Sequence, residues 1–109
     1  MPELNFIHHP LPATGRTLAA DSDHLVARTS PGALLLIHLP PGAYAFEHHA
    51  MPEYIVCLQG SLQMEAEGGA RCSAAVGEVI EVPPGLSHRF AADCDAVVLT
   101  LAQKAPAAA

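Results

Sequence analysis

Hydrophobic and polar positions alternate strictly over residues 61–67, where Leu62, Met64 and Ala66 share one side and Ser61, Gln63, Glu65 and Glu67 the other. A period of two is that of a strand with one buried and one wet face. Residues 96–101, Ala-Val-Val-Leu-Thr-Leu, are apolar and rich in β-formers, which predicts a strand buried on at least one side. The same reading predicts strands over 25–28, 33–39, 54–58, 78–82 and 88–91. Between them stand Ser30-Pro31-Gly32, Pro40-Pro41-Gly42, Gln59-Gly60, Gly68-Gly69 and Pro83-Pro84-Gly85, residue sets that supply fixed or positive φ. Strands spaced by roughly 8–12 residues belong to an all-β sandwich or barrel. No segment shows a 3.6-residue apolar period, and nothing repeats. Residues 104–109 read as a disordered tail after a single domain over 1–103, with Pro106 opposing a helix there.

Composition agrees with this pattern. A chain of 109 residues, 50% hydrophobic and 15% charged, is a globular domain with one core. Aromatics are 5% with no Trp, so that core is aliphatic. The net charge of −6 supplies no basic patch for nucleic-acid phosphates or an anionic membrane surface. No apolar run approaches the ~18 residues of a membrane span, and the first residues resemble no secretory signal, so cytoplasmic residence is the expectation. Three cysteines without a C-x-x-C pair suggest neither a disulfide framework nor a zinc knuckle. Cys57 shares the parity of Glu53 and Ile55 and reads as interior filler.

The seven histidines change the picture, because they cluster. Glu47, His48, His49 and Glu53 fall within seven positions, and His88 follows the Pro83-Pro84-Gly85 turn. Imidazole and carboxylate are the ligand types of divalent first-row metals. Residues i and i+2 of a strand project to one face, roughly 6.5–7 Å apart, so Glu47 and His49 can converge while His48 points away. His8 and His9 read as solvated or dimer-facing, His24 as a strand-edge residue and His38 as a satisfied core residue. Tyr44, Phe46, Met64 and Phe90 either line a pocket mouth or fill the core.

These two segments resemble the paired motifs of the cupin superfamily, G-x5-H-x-H-x3,4-E-x6-G and G-x5-P-x-G-x2-H-x3-N. The second is matched at Gly77, Pro83, Gly85 and His88, with Ala92 in place of its Asn; the first at Gly42, Glu53 and Gly60. The H-x-H departs from the pattern. Counting back from Glu53 puts His49 in the second His slot and Glu47 in the first, whereas counting forward from Gly42 puts His48 in the first and Ala50 in the second. The resemblance implies a jelly-roll (double-stranded β-helix) barrel with one divalent transition metal (Fe, Mn, Ni or Zn) on His49, Glu53 and His88. Glu47 is then a fourth ligand or a general base, and His48 the alternative ligand if a bulge rotates the strand. It further implies metal-dependent oxygenase (a dioxygenase) or isomerase chemistry on a small polar metabolite, or else a non-catalytic small-ligand-binding or sensing module on the same barrel. A homodimer is expected, since small barrels leave edge strands to cover, and residues 4–9 are a candidate strand for that.

Overall fold

All strand pairings are antiparallel, and the inward-facing apolar rows meet in one core. The computed structural model describes residues 4–30 and 32–103. Its elements are α1 (Leu11–Arg16), β1 (His24–Arg28), β2 (Gly32–Leu39), β3 (Glu53–Ala66), β4 (Arg71–Ala74), β5 (Val79–Val82), β6 (His88–Phe90) and β7 (Asp95–Gln103). β1, β2, β7 and β3 lie side by side in that order, β5 pairs with the first part of β3, and β4 and β6 pair with its last part. β3 thus belongs to both walls. The result is the all-β jelly-roll barrel expected from the sequence.

Alternation decides which residues fill the barrel. Ile37 and Leu39 on β2, Ile55 and Cys57 on β3, Ile80 and Val82 on β5 and Ala96 and Val98 on β7 are buried in one cluster. Leu62 and Met64 extend it along β3. Cys57 is fully buried there, as expected of filler. Thr100 continues the β7 row, in register with Leu35 on one side and Ile55 on the other.

Three features differ from the sequence reading. The helix α1 was not predicted; Leu-Pro-Ala-Thr-Gly-Arg has no apolar period because its buried position is Gly15, which carries no side chain. β3 does not break at Gln59-Gly60 but runs through, with a register shift between Cys57 and Gln59. β4 had gone unread because its Arg71, Cys72 and Ser73 are exposed and only Ala74 faces the core. Among the described residues, 4–9 pair with no strand, and Phe6 and Ile7 are exposed. His24 starts β1 exposed, and His38 faces outward, its Nδ1 3.1 Å from the Leu18 carbonyl. The tail 104–109 lies outside the described residues.

Helix α1 lies on the outer face of β7, where Val97 is fully buried. A Cβ at Gly15 would stand 2.3 Å from Val97 Cγ1. Alanine would gain up to about 1 kcal/mol of helix propensity, but overpacking a β-branched, buried neighbour costs about 1–3 kcal/mol. Gly15→Ala is therefore expected to lower the urea midpoint; a midpoint at or above that of the parent would show that α1 is free to move off the sheet.

Candidate metal centre

The segment joining β2 to β3 begins with Pro40 and Pro41; Pro41, lacking an N–H, cannot continue a ladder. It forms no regular strand, so strand parity is not what aligns Glu47 with His49. Backbone pins do that instead. Glu47 N–H donates to the His88 carbonyl and His88 N–H to that of Glu47, both at 2.9 Å. Gly85 N–H donates to the His49 carbonyl at 2.8 Å, from a turn in which Gly85 takes φ +80°, open to glycine at little cost. The loop is thereby laid along β6, with Glu47 beside His88.

The side chains meet at graded depth. His88 is 3% exposed, and the side chains of Glu53, His49 and Glu47 are 17%, 42% and 55% exposed. His88 Nδ1 lies 2.8 Å from the Leu86 carbonyl. A carbonyl only accepts, so Nδ1 carries a proton, and in the neutral ring that a metal ligand requires Nε2 then presents its lone pair. That Nε2 is buried and has no hydrogen-bond partner. Facing it are Glu53 Oε1 at 3.8 Å and Glu47 Oε1 at 3.9 Å; His49 Nε2 lies 3.5 Å from Glu47 Oε1 and 3.9 Å from Glu53 Oε1. These separations are too long for hydrogen bonds and near the spacing of ligand atoms around one ion bonded at about 2.0–2.2 Å.

The residues present fit a divalent metal. An acceptor left buried and unpaired costs about 1–3 kcal/mol, and a cation between Nε2 and the two carboxylates removes that cost. Ligand atoms of Glu47, His49 and His88 all lie within 4.8 Å of one another. Glu53 stands outside that triplet and approaches its two imidazoles from the barrel side. His48 is exposed and takes no part in the cluster, so no bulge turns it inward.

Burial pushes the Glu53 carboxyl above the usual range; His49 and His88 oppose that shift, and Glu47 and Asp23 reinforce it. The cluster opens into a cavity of about 320 Å³ with Leu35, Ile37 and Phe90 as apolar wall and Thr100 among them. Asp21 and Asp23 complete its rim. Asp21 also titrates above its usual range, from burial first and then from Glu47 and Asp23. Its φ of +54° is uncommon for a residue other than glycine, and its N–H donates to the His38 carbonyl at 2.9 Å. Sequence reasoning passed over Asp21, Asp23 and Thr100. The aspartates lie about twenty residues before the motif, and Thr100 sits in an apolar run as one β-branched residue among others.

Of the aromatic residues left open, Phe90 lines the cavity, and Tyr44 packs edge-on against it at 5.7 Å with its hydroxyl donating to the Pro40 carbonyl. Phe46 lies under the Arg89 guanidinium, 4.1 Å from its centroid, and Met64 is core.

No helix among the described residues is long and apolar enough to cross a membrane. Residues 35–102, well over half of the chain, match the family model described as a cupin domain. No curated protein matches the sequence. Among solved structures, a cupin-2 domain protein from Shewanella frigidimarina superposes with a TM-score of 0.73 at 16% identity, covering 84% of this chain and 89% of that one. A protein from Neisseria meningitidis gives 0.75 at 16% identity, over 90% of this chain and 100% of that one. A hydroquinone 1,2-dioxygenase from Sphingomonas sp. TTNP3, with 4-hydroxybenzoate bound, gives 0.68 at 13% identity, over 84% and 70%. Identities this low speak for the barrel alone. The barrel, the two motif segments converging at its mouth and the family match over 35–102 make this chain a member of the cupin family.

Proposed function

We propose that the protein holds one divalent transition metal (Fe, Mn, Ni or Zn) on Glu47, His49, His88 and Glu53 and acts there on a small metabolite by oxygenase or isomerase chemistry. The observation that carries this reading is the buried, unpartnered Nε2 of His88, its tautomer set by Leu86 and its lone pair aimed at two carboxylates. When bound, such an ion would polarise a chelating oxygen substrate or support O₂ chemistry. The chain's own part is to position and to move protons. Glu53 anchors the inner side of the set. Where Glu47 does not itself bind the ion, its half-exposed carboxylate, 3.5 Å from His49, is the general base for a substrate oxygen at the mouth. Leu35, Ile37 and Phe90 keep water from the cavity wall. Hydroquinone, named for the dioxygenase that shares the barrel, is included among the compounds to test.

The test is elemental analysis of tag-free protein, followed by O₂-uptake and product assays with dihydroxybenzenes, diketones and aldoses after anaerobic loading with each metal. About one metal per chain and turnover of one class are expected. Sub-stoichiometric metal that neither His49→Ala nor His88→Ala changes would sink the reading. Tight binding without turnover would instead favour a non-catalytic ligand-binding module, a reading supported by the replacement of the motif's Asn by Ala92.

A further inference from the structure

We infer that this cavity selects small molecules bearing a protonated amine and excludes anions; the inference deepens the proposed metal site and rests on it. Four carboxylates border the cavity: Asp21, Asp23, Glu47 and Glu53. None of its described lining residues is Lys or Arg. Arg89 borders the adjoining pocket that shares Asp21, Glu47 and Phe90, but its Nε donates to Glu65 at 2.6 Å and its guanidinium lies over the Phe46 ring. A divalent ion offsets Glu47 and Glu53. It leaves Asp21 and Asp23 uncompensated at the rim, where the chain bends Asp21 through a positive φ to hold it. An anionic ligand would bring a third like charge into a partly desolvated space, whereas an ammonium group is attracted there.

A second, independent feature marks the cavity as a ligand site. The Thr100 hydroxyl is buried, at 1% exposure, and has no hydrogen-bond partner. It lies in the cavity wall between Leu35 and Ile55, where valine would satisfy the packing without an orphaned polar atom. A ligand heteroatom reaching the wall would give this hydroxyl a partner. The structure therefore assigns two recognition points: an acidic rim for the amine, and Thr100 for a polar group deeper in.

Three catechols that share a chelating group and differ chiefly in side-chain charge are compared: dopamine (cation), 4-methylcatechol (neutral) and 3,4-dihydroxyphenylacetate (anion). Each is titrated calorimetrically under argon into full-length protein, both loaded with Zn(II) and metal-free. Dopamine is expected to bind at least tenfold tighter than 4-methylcatechol, and the anion weaker than both. In the Asp21→Asn/Asp23→Asn variant the advantage of dopamine should shrink at least threefold with Zn(II) still bound one per chain. Glu67→Gln/Glu81→Gln, which removes two charges outside the cavity, should leave the order intact; a matching loss there would mean that net charge alone is at work and would overturn the inference. Constants within twofold of one another, a tighter anion, or no binding of any probe would also overturn it. Failure of the metal reading shows separately, as absence of Zn(II), while the order among the probes is still read on the metal-free protein. Thr100→Val is expected to weaken dopamine at least threefold without lowering the urea midpoint.

Discussion

His88→Ala is expected to lower the affinity for a divalent transition metal by about 100-fold or more while the barrel stays folded. Losing a partner that merely orients a metal ligand typically costs about 10–100-fold, so losing a ligand should exceed that; 100-fold corresponds to about 2.7 kcal/mol. The geometry makes His88 the largest single contributor, because its imidazole arrives at the cluster already buried and in the right tautomer. The others are partly solvated and must be drawn in. His49→Ala removes a half-exposed side chain with little packing, so it should lose metal without loss of stability and separates the two effects. Glu47→Gln and Glu53→Gln should each weaken binding, since both carboxylates lie within 3.9 Å of both imidazoles. His48→Ala should change nothing. Affinity is read by competition with a chelator, and independently by unfolding: metal at 100 times its dissociation constant stabilises the parent by about 2.7 kcal/mol, and His88→Ala should show none of that gain. Because ligands must shed protons to bind metal, and burial holds Glu53 above the usual carboxylate range, affinity should begin to fall at a higher pH than an ordinary carboxylate would dictate. Parent-like affinity in His88→Ala would remove this cluster as the metal site.

How much of this was legible beforehand depends on whether a residue's neighbours in sequence are also its neighbours in space. β2, β5, β6 and β7 were readable because a buried face writes itself as alternation or as an apolar run. The aromatic positions were not, since Tyr44 and Phe90 meet only across the fold. Glu47, His49 and His88 could be named as candidates from spacing, but the reason offered, strand parity, was not the operative one; two backbone hydrogen bonds to His88 and one from Gly85 align them. Periodicity also could not order the ligands, and the exposed, irregular run around His48 shows why: no ladder fixes side-chain direction there. Asp21 left no local signal. Its place at the rim follows from a left-handed backbone turn and a hydrogen bond to His38, both products of the finished barrel. Gln59-Gly60 illustrates the opposite failure. The glycine is special, with φ +78°, but it is a point within β3 and not its end.

Gly60→Ala is expected to be among the most destabilising substitutions to alanine in the chain, at roughly 3 kcal/mol or more, and to weaken metal binding as well. Two costs combine. The residue takes φ +78°, where a Cβ costs roughly 1–2 kcal/mol. That Cβ would also stand 2.1 Å from the Asp95 carbonyl oxygen, a backbone atom of the paired strand that no rotamer change can move. Gly77→Ala provides the matched control: its φ is +86°, but nothing lies within 4 Å of the added carbon, so only the conformational cost remains. The difference between the two urea-derived stabilities isolates the clash, and equal losses would mean that β3 and β7 can part at no cost. Against a total stability of about 5–15 kcal/mol, the Gly60 loss should lower the melting temperature by more than about 10 °C. The link to the site follows from topology. Through Ser61, β3 pairs with β7, and its first part, which carries Glu53, also with β5; from Leu62 on, β3 pairs with β4 and β6, and β6 carries His88. Gly60 is the corner between the two walls, and the close approach of its backbone to Asp95 sets the angle at which they meet. Forcing that corner open should carry His88 away from Glu53 and lower metal affinity in the molecules that remain folded. Gly77→Ala, with its corner intact, should bind metal as the parent does.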